Sequence, residues 1–202
     1  SKRHILKNLL YYLVNIVSIK NKLTKKYNIQ SIVPKIRKVP VVNFNSSYSD
    51  IWQSLPNQVY DELSEKNINI ILKFGMGLLR VSETLPIKYG ILSFHHGNPS
   101  YYRGRPAGFY EIYNNEKSMG VIVQRLSNKI DSGEVLAILE SKVYPYSYKK
   151  TLEEAYNNST LLLNKAIENI LGEKKIELKR TGKNYKLPGN LAVFQFIIKI
   201  LK

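Results

Sequence analysis

Apolar positions in this chain follow two rhythms, and the change between them falls near Pro40. Across residues 5–19 (ILKNLLYYLVNIVSI), Leu6, Leu9, Leu10, Leu13, Val14, Ile16 and Val17 crowd one side of a 3.6-residue repeat, which predicts a helix. Beyond Pro40, short apolar runs alternate with helical patterns. Strands are expected at 41–42, 68–73, 90–96, 120–126 and 134–139, with helices at 60–66 and 107–113. A turn at Asp131-Ser132-Gly133 joins the last two strands. Thr151-Leu-Glu-Glu154 has the form of a capping box opening a helix to about Ile170, with Leu152, Ala155, Leu162, Leu163, Ala166 and Ile170 inward. A basic loop covers 174–186, and a last apolar stretch covers 191–201 after Pro188-Gly189.

Strand–helix alternation predicts an α/β domain, a Rossmann-like, mostly parallel sheet with helices on both faces. The chain divides into a basic N-terminal helical segment, 1–40, and a core, 41–202. It begins with a helix and ends inside a helical pattern, so a fragment of a longer protein is expected.

Charge alters this picture at the N-terminus. There are 31 basic against 15 acidic residues, a net charge of +16, and the first acidic residue is Asp50. Richness in Lys, Asn, Ile and Tyr accounts for part of the imbalance as compositional bias. The remainder would draw phosphates, nucleic acid or an anionic membrane surface toward the protein. Flanking lysines would suit an interfacial helix at 5–19, and equally a helix docked on the domain with its lysines in water. Cysteine is absent, which excludes disulfides and thiolate metal sites. Three histidines, two of them adjacent, leave no structural zinc pattern, and no metal is expected. No apolar run reaches membrane-spanning length and no signal-peptide pattern is present, so a cytoplasmic protein is expected.

The chemistry-bearing stretch is SFHHGNPSYYRG, from Ser93 to Gly104. A buried strand running into a loop at two histidines stands where open α/β sheets bind ligands. Further on, Lys129-Ile-Asp-Ser-Gly133 sets a carboxylate in a tight turn. Taken singly, a histidine pair at a strand end is often plain surface, and Asp-x-Gly is an ordinary turn.

Together, in this order, strand, His, Tyr-Arg-Gly, Pro, helix, Gly-Val strand and Ile-Asp-x-Gly resemble the formyltransferase family. That family includes methionyl-tRNA formyltransferase, glycinamide ribonucleotide formyltransferase and the nucleotide-sugar N-formyltransferases. The resemblance covers roughly residues 68–140 and implies transfer of a formyl group from N10-formyltetrahydrofolate to an amine. The family's strand ends Asn-x-His before an Arg-Gly loop. Matching that Arg-Gly to Arg103-Gly104 without a gap puts its histidine on His95 and its asparagine on Ser93. A slip by one would make His96 the histidine and Phe94 the asparagine. The family's aspartate falls on Asp131.

By the same resemblance, the formyl-folate lies against Phe74-Gly75-Met76-Gly77-Leu78 and against Ser127, Asn128, Lys129 and Ile130, largely through backbone groups. Glycines would let a flat ring approach closely there. On a plain reading, Met76 and Leu78 face the core instead. Tyr102 and Arg103 are implied to contact the acceptor. The family's opening βαβ unit has no counterpart in this pattern.

The residue types suit acyl transfer. An amine attacking a formyl carbon builds an oxyanion that needs a hydrogen-bond donor. His95 is the expected donor and proton carrier, Asp131 the group that raises its basicity or orients a water, and Ser93 a shorter single donor. Ser93 therefore predicts a weaker oxyanion site or one completed by another group, with Asn98 a candidate. The acceptor is expected to be an amino sugar or another small amine. Methionyl-tRNA formylation, formyl-folate hydrolysis and a non-catalytic binding module are the alternatives.

Overall fold

The computed structural model describes residues 6–19, 31, 33–83, 85–129, 133–178 and 180–201. Its centre is a four-stranded sheet in the order β3-β5-β7-β8, formed by β3 (Ile71–Lys73), β5 (Ile91–His96), β7 (Ser118–Arg125) and β8 (Glu134–Lys142). A smaller sheet, β1-β2-β4, joins β1 (Ser47–Ser49), β2 (Trp52–Ser54) and β4 (Leu78–Leu79). A third pair unites β6 (Tyr102–Gly104) with β9 (Lys183–Tyr185). The helices are α1 (Leu9–Ile19), α2 (Asn57–Glu65), α3 (Phe109–Tyr113), α4 (Tyr148–Leu171) and α5 (Asn190–Ile200), with a short 3-10 turn at Pro34–Lys38.

The α/β expectation holds, whereas the expected mostly parallel sheet is found only in part. β3 and β5 are parallel, whereas β5–β7 and β7–β8 are antiparallel. A parallel neighbour needs a crossover of about a dozen residues or more. The segment between Arg125 and Glu134 is shorter than that, so β8 must return beside β7 in the opposite direction. No strand forms at 41–42, where Val41 is largely exposed and lacks an apolar face to join.

Burial explains which face of the sheet is helical. Val121 and Val123 of β7 are fully buried in one cluster with Leu92, Leu136 and Ala137. Leu152, Ala155, Leu162 and Ala166 of α4 cover them, following the inward stripe read from the sequence. The helix starts one turn earlier than its apparent capping box: Ser147 Oγ caps it by accepting from Lys150 N at 3.2 Å. Thr151 is instead buried, its hydroxyl bonded to the backbone of Tyr144 and Ser147. Phe109 of α3 and Phe196 of α5 stack at 4.3 Å beneath the same core.

The N-terminal helix is part of this body. Asn8 Nδ2 donates to Pro188 O at 2.7 Å, and Asn190 returns the contact, accepting from Leu10 N at 3.2 Å and donating to Leu6 O at 3.0 Å. Tyr11 is buried beside Phe109. These bonds fix α1 against α5. No described helix is long and apolar enough to cross a membrane.

Candidate functional site

Alternation along β5 sends its two histidines to opposite faces. His96 pairs in register with Val121 and turns toward α4. There its Nε2 lies 2.8 Å from Ser159 Oγ, and its ring meets Tyr156 edge-on at 4.6 Å. The Ser159 hydroxyl spends its proton on Ala155 O at 2.9 Å, so its oxygen accepts and His96 Nε2 carries the donated hydrogen. Burial, aided by the neighbouring His95, lowers the His96 pKa to about 4. His96 is thus a neutral, structural imidazole at neutral pH.

His95 pairs with Ile122 and Ser93 with Gln124, so these four share the other face. Two glycines hold the following loop against it. A Cβ on Gly97 would come within 3.0 Å of His95 Nε2 and 2.8 Å of the Tyr102 carbonyl oxygen. A Cβ on Gly120 would meet the Asn98 backbone nitrogen and Cα at 2.7 Å. The loop is tightened by Asn98 itself, whose Oδ1 accepts from Ser100 N at 3.0 Å and whose carbonyl accepts from Tyr101 and Tyr102. Asn98 Oδ1 is thereby used in a turn.

Beside Ser93 on this face opens a cavity of about 100 Å³. Ser93, Gln124 and Lys73 come from the main sheet, Trp52, Leu78 and Leu79 from the small one, and Ser127, Lys129 and Gly133 from the loop after β7. The sequence-derived folate residues Leu78 and Ser127 therefore line one cavity with Ser93. Two carboxamides tie its rim together. Gln53, buried, accepts from Gly77 N at 3.0 Å and donates to Ser46 Oγ at 2.7 Å. Asn128 accepts from Val81 N at 2.8 Å and donates to Val81 O at 2.9 Å. Asn128, read from the sequence as a ligand contact, thus clasps the segment after β4 across the rim.

Phe74 packs its exposed ring 5.8 Å from that of Phe94. Gly75 takes a positive φ of 67°, which glycine adopts without strain, and Met76 is half-buried between the two glycines. Ile130 and Asp131 lie outside the described residues. Gly133 is described: a Cβ there would come within 3.2 Å of Gln124 Oε1.

Tyr102 and Arg103 sit on β6, away from that cavity, in a shallow groove with His96, Arg105, Tyr110, Glu111 and Tyr185. Arg103 Nε donates to Gly182 O at 2.9 Å. The Tyr102 ring stacks on Tyr185 at 5.4 Å, and its hydroxyl donates to Glu116 at 2.7 Å while accepting from Asn114. Burial raises the Tyr102 pKa, and the hydroxyl stays protonated.

Gln124 is the residue that reading the sequence missed. It is 4% exposed, and its Oε1 has no partner among the described residues. The signal was present: Gln is the polar interruption in GVIVQRL, on the same alternate set as Gly120 and Ile122. What the string lacks is the cross-strand register that sets it opposite Ser93.

The α/β fold is similar to that of a solved formyltransferase. A 4-N formyltransferase from Francisella tularensis shares it over 95% of this chain and 83% of that one, at 15% sequence identity and a TM-score of 0.50. The formyltransferase PseJ from Anoxybacillus kamchatkensis, in complex with UDP-4,6-dideoxy-4-formamido-L-AltNAc and tetrahydrofolate, matches 66% of this chain and 79% of its own, at 18% identity and 0.48. HypX from Aquifex aeolicus, in complex with tetrahydrofolic acid, matches 65% of this chain at 18% identity and 0.47, and the match spans 23% of HypX. No protein-family model matches the sequence, and no curated protein matches it by sequence. At 15% identity the likeness to the Francisella tularensis protein establishes a shared fold alone.

Proposed function

We propose that this chain transfers a formyl group from N10-formyltetrahydrofolate to a primary amine carried on a small nucleotide-linked sugar. The observation that carries the reading is the shared face of Ser93 and His95 beside a cavity that Gly133 also lines. Within that cavity the buried amide oxygen of Gln124 has no partner among the described residues, and the chain reaches Leu78 of its lining through Gly75 and Gly77.

In the proposed reaction the amine nitrogen bonds to the formyl carbon, and the bond from that carbon to the folate nitrogen breaks. His95 takes the proton the amine loses and returns one to the departing nitrogen. Ser93 donates to the formyl oxygen as negative charge gathers there. Asp131, at the turn, would hold the imidazolium by charge. Leu78 and Ser127, with the backbone of 74–77 and 127–130, would position the donor.

For the acceptor, the Tyr102–Tyr185–Tyr110 stack, with Lys183 over Tyr185 at 5.0 Å, offers aromatic faces and positive charge to a nucleoside phosphate. We place the reaction in the cytoplasm.

The test is incubation with N10-formyltetrahydrofolate and a panel of dTDP- and UDP-linked 3-amino and 4-amino sugars, with mass spectrometry of the products. Gain of a formyl group on a sugar supports the reading. Formate released without any formylated sugar favours hydrolysis, and an unchanged donor favours a binding module.

A further inference from the structure

We infer that Gln124 hydrogen-bonds the formyl group of the bound donor, supplying beside Ser93 the carboxamide that the serine cannot provide; this rests on the function proposed above. Register is the first reason. Ser93 and Gln124 are directly opposed on neighbouring antiparallel strands and point to one face, where opposed side chains lie within about 5.5 Å at Cβ. Both line the same cavity.

Hydrogen bonding is the second reason. Gln124 is 4% exposed in a strand of buried apolar neighbours, yet its Oε1 meets no partner among the described residues. Native proteins rarely keep such a group unpaired without a use for it. Rotating the amide exchanges its oxygen for its NH2, so the same position can present a donor to a carbonyl oxygen.

Elimination is the third. Among the neighbouring carboxamides, Asn128 binds Val81 at both ends and Gln53 binds Gly77 and Ser46, while the Asn98 amide is oriented within its own loop by Oδ1 accepting from Ser100 N. Each is engaged in holding backbone or loop. Gly133 completes the argument, because a side chain there would press on Gln124 Oε1.

Gln124→Met tests this with little change in volume, and thermal melting verifies that the variant folds. With N10-formyltetrahydrofolate and whichever dTDP- or UDP-linked amino sugar turns over fastest, kcat should fall about 100-fold, the usual cost of one oxyanion donor. Tetrahydrofolate affinity, measured separately by calorimetry, should stay within about threefold, since the interaction is made with the formyl group. Adding Ser93→Asn to Gln124→Met should restore at least about tenfold in kcat, because it returns a carboxamide to the opposed position. A kcat for Gln124→Met within about threefold of wild type overturns the inference and leaves the proposed function standing. So does a loss explained wholly by weaker tetrahydrofolate binding. If the wild-type protein formylates no amine, the underlying function fails, and this inference with it.

Discussion

Asn128 grips Val81 by both ends of its carboxamide, accepting from the backbone nitrogen at 2.8 Å and donating to the carbonyl oxygen at 2.9 Å. The bond pair mimics one rung of a sheet and fastens the loop after β7 to the segment after β4. Those two segments form opposite rims of the cavity that holds Ser93. Asn128→Ala should therefore loosen the rim. The Val81 amide should lose hydrogen-exchange protection, and tetrahydrofolate should bind about tenfold more weakly, with kcat much less affected. Unchanged exchange at Val81 would show that the clasp does not hold in solution.

Gly120 predicts a second effect of packing on chemistry. A Cβ there would overlap the Asn98 backbone, which lies over the sheet next to His95. Gly120→Ala should lift the loop and cost activity well beyond its effect on melting temperature. A displacement near 1 Å at such a site costs about 100-fold. Comparison of kcat with the unfolding midpoint tests this, and a parallel small loss in both would count against it.

The extent to which the sequence announces this structure can be followed residue by residue. Apolar alternation locates β5, β7 and β8, and the Leu152-Ala155-Leu162-Ala166 spacing identifies the inward face of α4. Strand direction was illegible from composition and became legible only through connection length, since the link between β7 and β8 cannot span a crossover. The β6–β9 pair was also hidden. Its strands are three residues long, largely polar, and distant in sequence. The cap of α4 was misplaced because Thr151 and Ser147 both satisfy local rules; burial of Thr151 beneath Tyr144 decides between them. At the site, the positions of Ser93 and His95 follow from strand periodicity alone. Gln124 does not, because its importance depends on a partner strand.

Glu111 should make stability depend on pH. It is 2% exposed in α3, and burial raises its pKa from 4.5 to about 7. A carboxyl with a raised folded pKa favours folding while protonated, so its contribution is present below pH 4.5 and is lost as pH rises through about 7. Glu111→Gln should therefore stabilise the protein at pH 8 by roughly 2–3 kcal/mol and change it little at pH 4. His96 acts in the opposite sense: its lowered pKa means stability is lost as pH falls from 6.5 through about 4. Melting curves of Glu111→Gln and the wild type across this range separate the two groups. Equal curves at pH 8 would contradict the buried-acid account.

The Asn8–Asn190 clamp predicts that α1 belongs to the folding unit. Asn190→Ala removes the acceptor for Leu10 N and the donor to Leu6 O. The expected loss is about 1–2 kcal/mol, seen as a lower denaturant midpoint with an unchanged slope. A reduced slope, or a separate early transition, would show that α1 detaches independently.

The two adjacent histidines provide the most direct test of the central claim. His95 lies on the Ser93 face, whereas His96 is half-buried against Ser159 and Tyr156. The decisive measurement is the rate of formyl transfer for His95→Ala and His96→Ala, each at a temperature where the variant is folded. The account predicts a fall of about 100-fold or more for His95→Ala, which loses a proton carrier, and only a several-fold fall for His96→Ala. A His96→Ala variant that is inactive though folded, beside a His95→Ala variant that still transfers formyl at near the wild-type rate, would contradict it.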